Sequence, residues 1–156
     1  MARHDRAKGT RSLHTPPIKL QRRRERHGRG LRGTLLRPPV PAARSRADRF
    51  DQLVLDAAHR LRRTWAEQMA GLQFAVETVP PVDPAPWEFG QVPLGRLYPG
   101  DDRQPPHIVV YRRPVETRAA DPDDLAELVH DVVVEQVAAL LGMEPEQIDP
   151  GYAGGS

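Results

Sequence analysis

Residues 132–142 read Val-Val-Val-Glu-Gln-Val-Ala-Ala-Leu-Leu-Gly, and the organisation of the C-terminal half follows from this stretch. It continues an apolar repeat that begins just after Asp121-Pro122. That dipeptide is typical of a helix start, because an Asp caps the first turn and Pro is favoured at the first helical position. The repeat predicts one helix that ends at Gly142, with an apolar stripe centred on Leu125, Leu128, Val132 and Gln136.

The same helical wheel assigns directions to the less common residues of the stretch. Ala139 falls within the apolar stripe and Glu135 falls at its margin, so both positions are predicted to point inward. His130 falls about 160° from Val132, which predicts a solvated surface residue. A further short helix is predicted after Gly142, over residues 144–148.

A helix and two strands are predicted upstream. Apolar residues at helical spacing predict a helix of about five turns from Asp48, which is a plausible N-cap. Residues 72–77 alternate as in a half-buried strand, and residues 108–111 form a second strand. Pro114 is expected to end that second strand, because proline cannot donate to a ladder.

The connection between the two strands is rich in proline. Residues 80–106 contain eight of the 17 prolines, and no regular element is predicted there. The connection also carries Trp87, Phe89 and Tyr98. These rings could cover the sheet as a structural plug or form a rim that contacts a ligand.

Charge divides the chain into a basic tail and an acidic domain. Residues 1–46 hold 14 Lys or Arg against two acids, whereas residues 47–156 hold nine against 19. Residues 1–46 are therefore predicted to be a disordered, Arg-rich tail, since self-repulsion and few apolar residues oppose folding. The folded domain is expected over residues 47–150, with a frayed C-terminus at residues 151–156.

Composition excludes several classes of site. The chain has no cysteine, which excludes disulfides, thiolate metal sites and a Cys nucleophile, and favours a cytoplasmic protein. No stretch approaches the ~20 apolar residues of a membrane span, so no membrane association is expected. No two histidines stand at zinc-ligand spacing on one predicted element.

The order of these elements, with Val92-Pro93-Leu94-Gly95 before the strand and Leu141-Gly142 at the helix end, resembles the small bacterial mini-zincin metallopeptidases. The resemblance covers about residues 48–150. It implies an α+β fold with an N-terminal helix, a small mixed sheet and a C-terminal helix that bears the zinc motif. The family motif runs His-Glu-x-x-His-x-x-Gly-x-x-Asp, or Ser at the last position.

When the family motif is placed on this sequence position by position, most of its functional residues are replaced. The first ligand falls on Glu135, the general base on Gln136 and the second ligand on Ala139, while the third ligand falls on Pro145. Gly142 is the one match. Because a catalytic zinc site needs three protein ligands, the resemblance implies a domain that has lost zinc and hydrolysis.

The expected function is that of a peptide- or protein-binding or regulatory module that needs no cofactor. A peptide could pair with the strand at 108–111 if that strand lies at the sheet edge. An alternative is a working zinc peptidase in which Glu135 and residues of the 80–106 connection bind the metal. A second alternative is polyanion or nucleic-acid binding by residues 1–46. The sequence indicates no oligomeric state, and the candidate cleft residues are Glu135, Gln136, Val109, Tyr111, Tyr98 and Trp87.

Overall fold

A computed structural model describes residues 45–82 and 90–154 in full and residues 20–22 as backbone. The elements, in chain order, are β1 (Leu20–Arg22), α1 (Arg46–Trp65), β2 (Gln73–Glu77), β3 (Gly95–Tyr98), β4 (His107–Tyr111), α2 (Arg112–Arg118), α3 (Pro122–Leu141) and α4 (Pro145–Ile148). The predicted α+β class, with its N-terminal helix, small mixed sheet and C-terminal helix, is confirmed.

The sheet is mixed, in the order β1-β2-β4-β3. The strands β1, β2 and β4 are parallel, whereas β3 is antiparallel to β4 and lies at the edge. Phe74 and Val76 of β2 lie beside Ile108 and Val110 of β4, and all four are buried in the core that α1 and α3 share with the sheet. The strand predicted at 108–111 is therefore an interior strand and cannot accept an added peptide strand.

Helix α1 begins slightly earlier than predicted, at Arg46. Its N-cap is Ser45, whose hydroxyl accepts a hydrogen bond from Asp48 N at 3.1 Å. The Asp48 carboxylate accepts one from Ser45 N at 3.2 Å, which completes a capping box. Asp48, predicted as the N-cap, is thus the third helical residue of that box.

Helix α3 has the ends that the sequence predicts. The Asp121 carboxylate accepts hydrogen bonds from the backbone of Asp123 and Asp124, both at 2.9 Å, and Pro122 is the first helical residue. Gly142 ends the helix in the left-handed conformation, with φ of 64°, which a glycine adopts without a steric cost. The predicted short helix after it is α4.

Two elements lie where none was predicted. The prediction of no regular element over 80–106 is wrong at β3, whose four residues gain strand geometry by pairing with β4. Arg112 and Arg113 follow β4 and begin α2, where no helix was predicted. Pro114 is compatible with that helix because it is the third helical residue, where a backbone N–H has no intrahelical partner.

The basic tail lies mainly outside the described residues. It differs from the prediction at Leu20–Arg22, which pair in parallel with β2 between Phe74 and Val76. Backbone pairing of three residues leaves no mark in charge or apolar periodicity, so composition did not reveal it. Trp87 and Phe89 of the Pro-rich connection also lie outside the described residues. No helix among the described residues is long and apolar enough to cross a bilayer.

Candidate functional site

The motif positions lie on one face of α3, near its C-terminal end. Glu135 and Gln136 are half-buried, but Ala139 is exposed. The prediction that Ala139 lies within the buried stripe is therefore wrong. A helical wheel gives the direction of a side chain, but it does not tell whether a neighbouring element reaches that far along the helix.

Strand β3 lies directly against this part of α3, and Gly95 makes that approach possible. A Cβ atom placed on Gly95 would stand 2.8 Å from Val132 Cγ1 and 3.2 Å from the carbonyl oxygen of Val109. The same atom would lie 3.5 Å from Gln136 Cγ. The edge strand thus begins beside Gln136, the position that the resemblance assigns to the general base, in a space that only glycine fits without displacement.

Glu135 is held by the C-terminal segment of the chain. The Tyr152 hydroxyl donates a hydrogen bond of 2.5 Å to Glu135 Oε1. Burial and this hydrogen bond raise the pKa of the Tyr152 phenol, so it stays protonated as a donor. Tyr152 also packs against the core, although residues 151–156 were expected to fray.

Other carboxylates surround Glu135 without converging on it. Burial raises the pKa of Asp131, and the negative charges of Glu135, Glu127 and Asp149 raise it further against the opposing effect of His130. Acidic groups therefore outnumber basic ones among the neighbours that act on Asp131. Over residues 45–82 and 90–154, however, no three His, Cys, Asp or Glu side chains are grouped so that they could hold a metal ion.

His130 is not the solvated surface residue that the wheel predicts. Its Nε2 atom lies 2.6 Å from Asp149 Oδ2, and only 13% of either side chain is exposed. Arg60 Nη2 lies 3.4 Å from the same oxygen. The hydrogen bond from His130 holds the pKa of Asp149 below its ordinary value. This contact joins α1, α3 and the residue after α4, which periodicity within a single helix does not reveal.

The remaining cleft candidates lie on another part of the sheet. Val109 and Tyr111 are buried in the interior strand β4. Tyr98 stacks on His107 with ring centroids 4.8 Å apart, and its hydroxyl lies 3.5 Å from that of Tyr111. The register of β3 with β4 places the side chains of Tyr98, His107 and Tyr111 on one face of the sheet. Ile108 and Val110 lie on the opposite face.

Those aromatic residues are therefore not gathered with Glu135. Burial and the hydrogen bond with Tyr98 raise the pKa of the Tyr111 phenol, which is typical of a structural hydroxyl. Trp87, the last candidate, lies outside the described residues.

The donor groups at the motif positions do not suit a zinc ion. Ala139 and Pro145 have no side-chain donor atom, and Gln136 carries a neutral amide in place of a carboxylate. One oxygen of Glu135 accepts the Tyr152 hydroxyl. A catalytic zinc site normally has three protein ligands, and this face offers one carboxylate.

Sequence reasoning missed Tyr152 and the contact of His130 with Asp149. A signal for Tyr152 was present, since it is the one aromatic residue in the run Gly-Tyr-Ala-Gly-Gly-Ser at 151–156. An aromatic side chain in such a run is more stable when packed than when solvated.

The sequence profile of the zincin-like metallopeptidase family matches residues 69–154, a range that begins shortly after α1 and runs through α4 to the segment with Tyr152. A search of curated proteins gave no match.

Proposed function

The chain belongs to the zincin-like metallopeptidase family, and from that premise we propose that its domain has lost zinc binding and peptide hydrolysis and serves as a peptide- or protein-binding module. The observation that carries the proposal is the state of the first ligand position. There the Glu135 carboxylate accepts a hydrogen bond from the phenol of Tyr152. The three other functional positions of the motif hold Gln136, Ala139 and Pro145, which lack a carboxylate base and the metal-binding side chains.

Hydrolysis would need a base as well as a metal. In a zinc peptidase a carboxylate takes a proton from the attacking water. The amide of Gln136 has no comparable basicity, and its Cγ lies close to Gly95 of the edge strand. Exposed Ala139 adds neither a ligand nor an acid. Position 136 therefore lacks the base for hydrolysis, and position 139 lacks a metal ligand.

The edge strand β3 supports the binding part of the proposal. Tyr111 N donates to Leu94 O at 2.9 Å, which makes that pair a hydrogen-bonded one. Hydrogen-bonded pairs alternate along an antiparallel ladder, so the N–H and C=O groups of Gly95 and Leu97 point away from β4. An extended peptide added at this edge would gain main-chain hydrogen bonds there.

Peptides selected from a random displayed library against the purified protein test this mode. We expect a bound peptide to protect the amides of Gly95 and Leu97 from hydrogen exchange. The amide of Arg96 faces β4 and serves as the internal control, because its exchange changes little. Protection confined to residues elsewhere, with Gly95 and Leu97 unchanged, would exclude binding at the β3 edge.

Rebuilding the motif tests whether the positions are assigned correctly. The quadruple variant Glu135→His, Gln136→Glu, Ala139→His and Pro145→Asp should bind one zinc ion per chain. A triple variant that keeps Ala139 is the matched control and should bind zinc far more weakly. A folded quadruple variant without zinc affinity would contradict the assignment.

The competing function is a zinc peptidase with an atypical site, in which Glu135 and side chains of the 80–106 connection hold the metal. It requires tight zinc binding by the unaltered chain that disappears in Glu135→Ala. The proposed module requires no such binding.

A second candidate function rests on charge alone. The 14 Lys or Arg of residues 1–46 stand against two acids, as in arms that bind nucleic acid or another polyanion. This function predicts affinity for a DNA duplex that falls steeply with salt and vanishes when residues 1–46 are deleted. Binding that does not depend on salt would count against it.

A further inference from the structure

The segment that reaches Glu135 is short and internally bonded. We call residues 149–154 the C-terminal strap. Asp149 Oδ1 accepts a hydrogen bond from Gly151 N at 2.9 Å, and the Asp149 carbonyl accepts one from Tyr152 N at 2.9 Å. These two bonds fold the strap into a turn that directs Tyr152 back toward α3.

Two helices anchor the start of the strap. Trp65, at the end of α1, donates its indole N–H to the carbonyl of Ile148 at 2.9 Å. Asp149 is held by His130 of α3 at 2.6 Å and by Arg60 of α1 at 3.4 Å. Because both anchors lie within four residues of Tyr152, they fix the position from which its phenol reaches Glu135.

We propose that the C-terminal strap is an internal occupant of the vestigial metal site, and that Tyr152 must leave Glu135 before a ligand group can bind that carboxylate. The inference rests on the proposed function, since it takes the site to be free of zinc. It adds a regulatory step, in which strap release controls access to the motif face.

The hydrogen bond from the Tyr152 hydroxyl competes with any ligand for the Glu135 carboxylate. An O–H donor on a carboxylate forms a charge-assisted hydrogen bond, which is stronger than a bond between neutral groups. Glu135 is half-buried, so water competes less for it than for a surface acid. A ligand that replaces Tyr152 must offer Glu135 a donor of its own, such as an ammonium or amide group. Ala139, one turn further along, is exposed.

Carboxyl labelling measures this access directly. The full-length chain is first freed of metal with EDTA and exchanged into a buffer without carboxylates. It is then treated with a carbodiimide and glycine ethyl ester, and the labelling rate of each acid is read by mass spectrometry. The test compares the unaltered chain with Tyr152→Phe, which keeps the ring and removes the hydroxyl. Glu127 and Glu146, both exposed, are the control acids.

We expect Glu135 to be labelled slowly in the unaltered chain and about tenfold faster in Tyr152→Phe, the change that corresponds to loss of one charge-assisted hydrogen bond. The rates of the two control acids should not change. Equal labelling of Glu135 in the two proteins would overturn the proposal.

Hydrogen exchange of the unaltered chain provides a second measurement if Tyr152→Phe folds poorly. The amides of Gly151 and Tyr152 should be protected, because both donate within the strap. If these two amides exchange at the rates of an unstructured peptide, the proposal that the C-terminal strap is an internal occupant of the site is overturned. Failure of the proposed function is a separate result, since it appears as tight zinc binding in a titration without EDTA.

Discussion

At the scale of single residues, the character of this site follows from Glu135 and Gly95. The resemblance assigns Glu135 to the first metal ligand, and the Glu135 carboxylate accepts a hydrogen bond of 2.5 Å from the phenol of Tyr152. Gly95 lets the edge strand lie against α3, since an added Cβ would meet Val132 Cγ1 at 2.8 Å. The first residue is a carboxylate engaged by a phenol, whereas the second allows the close approach of the edge strand.

The hydrogen bond of Tyr152 should contribute to stability as well as to access. Replacing Tyr152 with Phe leaves a half-buried carboxylate without its donor, and we expect the free energy of unfolding to fall by about 1.5 kcal/mol. Urea denaturation measures the change. Glu146→Gln, an exposed acid on α4, is the control and should have little effect. An unchanged stability in Tyr152→Phe would mean that the bond contributes nothing.

The space at Gly95 gives a second prediction. Gly95→Ala should destabilise the fold by about 1–3 kcal/mol, because the methyl group overlaps Val132 and the backbone of Val109. In the double variant Gly95→Ala with Val132→Ala, the overlap is smaller. The loss of unfolding free energy in the double variant should therefore be less than the sum of the losses in the two single variants. Strictly additive effects would contradict a direct clash between positions 95 and 132.

At the scale of elements, local signals were sufficient for some features and not for others. Both ends of α3 could be predicted, because Asp121, Pro122 and Gly142 act on the backbone next to them. Strand β3 could not, since its four residues become a strand through pairing with β4 on the far side of a Pro-rich connection. The contact between Tyr152 and Glu135 joins residues 17 positions apart across α4, and no periodicity reveals such a contact.

The anchor of the C-terminal strap should depend on pH through Asp149. The hydrogen bond from His130 lowers the pKa of Asp149 from its ordinary value of 3.8, so the ionised form is favoured in the folded chain. Its contribution is therefore fully present above that ordinary value and is lost as pH falls through the lower folded value.

Asp149→Asn removes this titration. The stability difference between the unaltered chain and Asp149→Asn should be constant near about pH 6 and should shrink below about pH 4. Urea denaturation across this range measures it. Asp102→Asn, on an exposed loop, is the control. A difference that grows toward acid would have the wrong sign for this account.

At the scale of the whole molecule, we expect the fold not to depend on a metal at the motif positions. The core of α3 is formed by other positions, such as Val133, Val134 and Val137, which are fully buried. Trp65 and His130 hold the chain after α3 through side-chain contacts with Ile148 and Asp149. Side-chain contacts of the chain itself therefore connect the last helices of the domain.

Thermal unfolding tests this independence. A protein whose folded state binds zinc is stabilised by zinc and loses that stability to a chelator. We expect the midpoint of unfolding to be the same in EDTA and in excess zinc. The quadruple revertant is the matched control, because its midpoint should rise when zinc is added. A chelator-sensitive midpoint in the unaltered chain would point to a structural metal.

The most direct test of the central claim is the zinc content and zinc affinity of the unaltered full-length chain. The protein is purified without added metal, its zinc is measured by elemental analysis, and it is then titrated with zinc by calorimetry beside Glu135→Ala. We predict substoichiometric zinc and no tight binding in either protein. One tightly bound zinc ion per chain that disappears in Glu135→Ala would contradict the account and identify a functional metal site.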